Sequence, residues 1–348
     1  MRVVIATVQV PFIHGGAEIL AEQLLHALQL EGHEAELVAI PFKWYPPERI
    51  LDHMLACRLL DVTESMGTPV DRLIGLKFPA YFMPHPHKVL WLLHQHRTAY
   101  DLWGHPLSDL IRFPHGAQIR DAVREADKRL LPQARRIFTI SGNVSHRLKT
   151  FCGIDSTPLY HPPQHAERFY SQAAENYFFF PSRFQPLKRQ AIVLEALALT
   201  HQPVVVRFAG SADEPPYMEW LQALPRKLKV GRRVEWLGHV SEEEKRALYA
   251  RALGIIFPPL DEDYGYVTLE AMLAAKPVIT CTDSGGPLEF VRGGETGLVT
   301  EPTPAALAAA MDELWADRHR AKRQGEAGYA HYHSLGISWP DVVRRLLS

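Results

Sequence analysis

The residues of this 348-residue chain that could do chemistry fall in five short stretches. Arg183 and Lys188 stand five positions apart in Pro181-Ser182-Arg183-Phe184-Gln185-Pro186-Leu187-Lys188, directly after the apolar run Tyr177–Phe180. Arginine offers a planar fork and lysine a point charge, a pair suited to gripping a diphosphate and neutralising it as it leaves without a metal ion. Two exposed bases on a loop are the plainer reading. Glu262 and Glu270 are eight apart, with Gly265 allowing a turn between them. Carboxylates accept hydrogen bonds from vicinal hydroxyls, so the two could hold a sugar ring and a ribose, with the backbone N–H groups of Tyr264, Gly265, Tyr266 and Val267 facing the same ligand. Unrelated surface acids would show the same spacing. The glycine turns Gly15-Gly16 and Gly285-Gly286 would let the backbone approach an anion, or would simply pack. His94 ends the apolar run Val89–Leu93, where an imidazole could bond a sugar hydroxyl or a developing charge near neutral pH.

Several other chemistries are excluded. There is no G-x-G-x-x-G, no Walker lysine motif and no H-E-x-x-H, so neither a dinucleotide fingerprint nor a metal site is expected. Cys57, Cys152 and Cys281 form no CxxC pair, which points to a reducing cytoplasm rather than a disulfide framework or a zinc knuckle. Of the 18 histidines, the clusters His85-Pro86-His87 and His331-Tyr332-His333 read as surface loops. With 38 Lys+Arg against 39 Asp+Glu the net charge is −1, too little to steer nucleic acid. The hydrophobic share of 47% and charged share of 22% are those of a globular protein, not a disordered one. The opening apolar run is broken by Gln9 and Pro11 before it reaches signal-peptide length, and no stretch is apolar enough to span a bilayer. Between Arg112 and Lys149, nine Lys/Arg face three acids (Asp121, Glu125 and Asp127). This surplus is either a solvated helix face or a patch for peripheral contact with an anionic membrane.

The elements that must position these residues alternate. Val3–Ala6 is a strand, Ala17–Glu31 an amphipathic helix with Gly32 at its end, and Glu34–Ile40 a second strand. Such a βαβ start predicts a parallel sheet covered on both faces. Val89–Leu93 and Ile137–Ile140 read as further strands, with a helix over Ile119–Leu131. The proline-stiffened stretch Leu159–Gln164 marks a seam. Beyond it come strands at Tyr177–Phe180, Val204–Ala209, Val234–Leu237, Leu253–Phe257 and Pro277–Thr280, and helices at Gln190–Thr200 and after the capping box Ser241/Glu244. Helices also follow Thr303-Pro304 and span Trp339–Leu347. The chain therefore divides into an acceptor-side α/β domain, 1–165, and a second α/β domain, 166–336, with the final helix 337–348 packing back on the first. Ligands in such sheets lie beyond the carboxyl ends of the strands, and a cleft between the domains is expected.

Together these stretches resemble the retaining glycosyltransferases of family 4, the group 1 glycosyltransferases, across nearly the whole chain. The likeness is specific in His-Gly-Gly-Ala-Glu at 14–18, Ser-Arg-x4-Lys at 182–188, Glu-x7-Glu at 262–270 and Gly-Gly-Pro-Leu-Glu at 285–289. It implies two Rossmann-like doubly wound parallel-sheet domains facing a cleft, the GT-B architecture. It implies transfer of a hexosyl group from a nucleotide diphosphate sugar to a hydroxyl of a glycan, glycolipid or small-molecule acceptor, with retention, in glycan or polysaccharide biosynthesis. By the same likeness Glu262 contacts the transferred sugar, Glu270 the ribose, Arg183 and Lys188 the diphosphate, Gly15 and Gly16 the diphosphate from the opposite wall, and His94 the donor sugar. Gly238, His239 and Val240 would border the base. No cofactor, metal or nucleic-acid partner is expected, and the cytoplasm, including the inner face of the membrane, is the expected location. The sequence departs from the family pattern at Ser182, Ala275 and Asp263, the last beside the sugar-facing Glu262. A sugar-nucleotide epimerase of the same fold and a non-catalytic nucleotide-sugar-binding module are the alternatives.

Overall fold

The computed structural model describes residues 1–212 and 214–348, in two compact units: Met1–Gln164 with Ser338–Ser348, and His165–Ile337. In the first unit, β1 (Arg2–Gln9) is buried along six consecutive residues, as a strand covered on both faces must be. The helix α1 (Gly16–Leu30) buries Leu20, Ala21, Leu24, Ala27 and Leu28, and Gly32 at φ +81° releases the chain into β2 (Glu34–Pro41). Next come α2 (Glu48–Leu59), a small hairpin of β3 (Glu64–Ser65) and β4 (Thr68–Pro69), β5 (Arg72–Gly75) and β6 (Lys88–Leu92). The unit continues with α3 (Gly116–Leu130), β7 (Arg136–Thr139), α4 (Gly142–Cys152) and β8 (Thr157–Pro158). Its six-stranded sheet runs β2-β1-β5-β6-β7-β8, all parallel.

The second unit repeats the plan. It contains β9 (Phe178–Pro181), α5 (Gln190–Leu199), β10 (Val206–Ala209), α6 (Pro215–Lys227), β11 (Val234–Gly238), α7 (Glu242–Arg251) and β12 (Gly254–Ile256). Then follow α8 (Tyr266–Leu273), β13 (Val278–Cys281), β14 (Gly297–Thr300), α9 (Pro304–Ala316) and α10 (Arg318–Ser334). Its sheet is again parallel, in the order β11-β10-β9-β12-β13-β14. The aromatic run 177–180 shows how the layers close: Phe178 and Phe180 enter the core on one face of the sheet, Tyr177 and Phe179 the core on the other. The last helix, α11 (Trp339–Leu347), buries Val342, Val343 and Leu346 in the first unit, and the Trp339 ring lies edge-on to Trp91, 6.2 Å between centroids.

Some readings are corrected. His85 is buried, its Nε2 3.2 Å from the Val70 carbonyl, and His331 is buried on the inner side of α10, so neither belongs to a surface loop. Asp127 is wholly buried, so it does not offset the surface charge of α3. Lys88 opens β6 from inside the core, where burial pushes its ammonium down to about 8 and Tyr81 O accepts from Nζ at 3.2 Å. The three cysteines are free thiols. Among the described residues no helix is long and apolar enough to cross a membrane.

Candidate functional site

In a parallel sheet every strand delivers its following loop to the same edge. The loops after β9, β12 and β13, which are adjacent strands, carry the second unit's candidate residues. Backbone hydrogen bonds continue the sheet order outward through them. Leu260 N donates to Leu187 O (2.8 Å), Asp261 N to Asp283 O (2.9 Å), Glu262 N to Ser284 O (2.9 Å) and Gly286 N to Glu262 O (2.8 Å). The three loops are thus one laced surface, and the side chains on it are held in register.

On this surface Lys188 and Glu262 form an ion pair, with the Lys188 ammonium also 5.7 Å from the Phe257 ring centre. Arg183 lies on the solvent side of the same loop. Its carbonyl accepts from the buried amide of Gln190 (2.8 Å), which fixes the loop's internal path. Arg189 makes a bidentate pair with Asp283, both N···O distances 2.7 Å. Gly265, at φ +88°, turns the chain into α8, so Tyr266 and Val267 occupy the first helical turn, where amides have no intrahelical acceptor. A side chain at Gly286 would put Cβ 2.6 Å from Tyr264 O; only glycine lets these two loops meet.

Glu270 sits one turn further along α8, nearly buried. Tyr249 Oη donates to one carboxylate oxygen at 2.7 Å, and Lys245 Nζ to the other at 3.1 Å. Burial acts to lower the Lys245 ammonium, but the Glu270 and Glu242 carboxylates outweigh it and hold its pKa above the ordinary value. Burial, reinforced by the Glu270 charge, keeps the Tyr249 and Tyr266 hydroxyls protonated well beyond their usual range. A carboxylate accepting one bond at each oxygen retains lone pairs for a ligand hydroxyl. Gly238 closes β11 at φ +66°, its carbonyl accepting from Gly210 N (2.8 Å), followed by exposed His239 and half-buried Val240. Glu262, Lys188, Arg183, Glu270, the 264–267 turn and the 238–240 turn therefore share one sheet edge of the second unit.

In the first unit, Gly15 N donates to its own turn's Glu18 carboxylate at 2.9 Å, so that amide is already engaged. Glu18 in turn meets Lys77 Nζ at 3.4 Å. Gly16 opens α1 without any side-chain cap on the first-turn amides. His94 lies two residues past the end of β6, half-buried, its Nδ1 2.6 Å from Gln95 O. The residues Lys245, Tyr249, Arg189 and Asp283 were not singled out from sequence. Lys245 and Tyr249 carry a retrievable signal, since a four-residue spacing on a helix puts two side chains on one face. Asp283 and Arg189 meet only through the sheet order.

Residues 164–331 match the family model described as glycosyl transferases group 1. The chain is 33% identical over 175 residues to D-rhamnosyltransferase WbpZ of Pseudomonas aeruginosa, covering 49% of this chain and 44% of that protein. It is 28% identical over 186 residues to O-antigen chain mannosyltransferase C of Escherichia coli, covering 53% of this chain and 48% of that one. The chain thus spans less than half the length of these curated relatives. Among solved structures, sucrose-phosphate synthase from Thermosynechococcus elongatus superposes with a TM-score of 0.79 at 17% identity, covering 99% of this chain and 97% of that one. The Anabaena protein HepE in complex with UDP and glucose gives 0.70 at 16% identity, over 99% and 98%. At these identities the likeness is one of fold, and the fold is GT-B.

Proposed function

We propose that this protein, whose residues 164–331 match the family model of the group 1 glycosyltransferases, transfers a hexosyl group from a nucleotide diphosphate sugar to an acceptor hydroxyl, with retention. The acceptor is a glycan, glycolipid or small molecule of glycan or polysaccharide biosynthesis, met on the cytoplasmic side of a membrane. One observation carries the reading: three adjacent strand loops, laced backbone to backbone, bring two cations and two carboxylates to one sheet edge. The solved complexes of HepE with UDP and with UDP-glucose favour a nucleotide sugar as the donor class.

In this reading Arg183 and Lys188 face the diphosphate. Lys188 exchanges its Glu262 partner for phosphate oxygens, which releases the Glu262 carboxylate to accept from hydroxyls of the sugar. Glu270, backed by Tyr249 and Lys245, accepts from the ribose hydroxyls, and the 238–240 turn borders the base. Charge accumulates on the leaving diphosphate, where Arg183 and Lys188, once Lys188 has turned from Glu262, stabilise it. Departure and attack occur on one face of the sugar, so no side chain is assigned as a covalent nucleophile.

The test is a thermal-shift panel of UDP, GDP and ADP with their sugar conjugates, in the presence of EDTA. A ligand at 100 times its dissociation constant adds about 2.7 kcal/mol to stability. One nucleotide is expected to raise the midpoint, its sugar conjugate more so, and EDTA to leave both shifts intact. No shift from any of them would refute the reading, and conversion of the sugar nucleotide without an acceptor would indicate an epimerase instead.

A further inference from the structure

We infer that the Arg189–Asp283 pair is a clamp that sets the reach of Lys188 and Glu262, which makes Arg189 a positioning residue for the diphosphate of the donor; the inference rests on the transferase reading above. Arg189 stands in the left-handed region at φ +58°, between the 3-10 turn Pro186–Lys188 and the start of α5. That conformation is costly for any residue with a Cβ and free for glycine. If only the turn mattered, glycine would serve better. What an arginine adds is its fork, and both arms of the fork are engaged with Asp283 at 2.7 Å. Arg189 stands just before α5, and a guanidinium, having no acceptor, cannot cap the first-turn amides there.

Asp283 is the node of the arrangement. Its side chain holds Arg189, next in sequence to Lys188, and its carbonyl accepts from Asp261 N, next in sequence to Glu262. One residue therefore fastens the loop carrying the ammonium and the loop carrying the carboxylate, and those two groups meet as an ion pair. A planar bidentate pair fixes orientation as well as distance, which a point charge cannot do. Losing it would leave the turn intact, or relaxed, while letting Lys188 wander.

The test compares R189G, R189K and D283N with the wild type, reading the dissociation constants of UDP, GDP and ADP by calorimetry beside the melting midpoint. Expected are an R189G midpoint equal to or above the wild type, since strain is removed, together with about tenfold weaker binding of the preferred nucleotide. R189K keeps the charge and the strain but loses the fork, and binds about as weakly as R189G. D283N is expected to weaken binding too, and the R189G/D283N double variant to be no weaker than R189G alone, because both remove one pair. Wild-type affinity in R189G would overturn the clamp. So would tighter binding in D283N, the outcome if Arg189 were itself a phosphate ligand held back by the carboxylate. A midpoint falling in step with affinity in all three variants would reduce the pair to a structural brace. A wild type that binds none of the three nucleotides would remove the transferase reading itself, and the clamp with it.

Discussion

Lys188 and Glu262 neutralise each other on the laced loops, and that pairing has a consequence for how binding and turnover divide. In the proposed reading a diphosphate competes with Glu262 for the ammonium. Glu262→Gln removes the competitor, so nucleoside diphosphate affinity is expected to hold or rise. Turnover should fall by roughly 30- to 1000-fold, about 2–4 kcal/mol of transition-state stabilisation lost at the sugar. Lys188→Met should instead weaken nucleotide binding and turnover together. Calorimetry beside steady-state kinetics separates the two; equal losses of nucleotide affinity in both variants would disprove the exchange. At this scale the sequence was legible where spacing carries chemistry. Arg183, Lys188, Glu262 and Glu270, which the structure brings to one sheet edge, stand out as candidates because a strand run precedes each loop and the types are charged. Asp283 and Arg189 were not, because a pair contributed by two loops 94 positions apart leaves no local pattern.

Elements were legible to the extent that their buried residues are aliphatic or aromatic. The run at 177–180 announces β9 without ambiguity. By contrast β5 is four residues opening on Arg72, and α10 buries Ala321, Gln324, Gly325, Gly328, His331 and Tyr332, small or polar groups that show no apolar stripe. The reason is close packing: a Cβ on Gly325 would lie 2.1 Å from Ala275 O, so that face admits nothing larger. The same physics joins the acidic loop to the glycine turn. Gly286→Ala would set a methyl 2.6 Å from Tyr264 O and 2.9 Å from Asp263 O, backbone atoms that cannot rotate aside. Overpacking of this kind costs about 1–3 kcal/mol, and the turn that gives must carry Tyr264–Val267 with it. The expected result is a lower melting midpoint with weaker nucleoside diphosphate binding. Gly231→Ala, where a Cβ meets nothing within 4 Å, is the control expected to change neither. Unaltered binding in Gly286→Ala would show that the turn does not hold the ligand-facing amides.

Across the whole molecule, the two α/β units were foreseen from strand and helix alternation, but their buried polar groups were not. The first unit is held partly by a carboxyl with no counterpart in any sequence motif. Asp127, on α3, accepts from Tyr81 Oη (2.9 Å), Tyr100 Oη (2.7 Å) and Gln95 Nε2 (2.8 Å), tying α3 to the chain on either side of β6. These residues are far apart in sequence, and each is individually unremarkable. Burial penalises the charged form and raises the Asp127 pKa from 3.8 to about 6, against the pull of the three hydrogen bonds. The sign follows. Between pH 3.8 and 6 the folded unit keeps a proton that the unfolded chain has released. This group's contribution to stability is therefore complete below that window and declines as pH rises through it. Asp127→Asn, which does not titrate, removes the dependence. The stability difference between wild type and Asp127→Asn should thus shift against the wild type by about 2 kcal/mol from pH 4 to pH 6.5, and stay nearly level above that. Hydrogen exchange at the α3 amides follows the opening of this unit directly. A difference constant from pH 4 upward would mean that the carboxyl is ionised throughout, with the three donors outweighing burial.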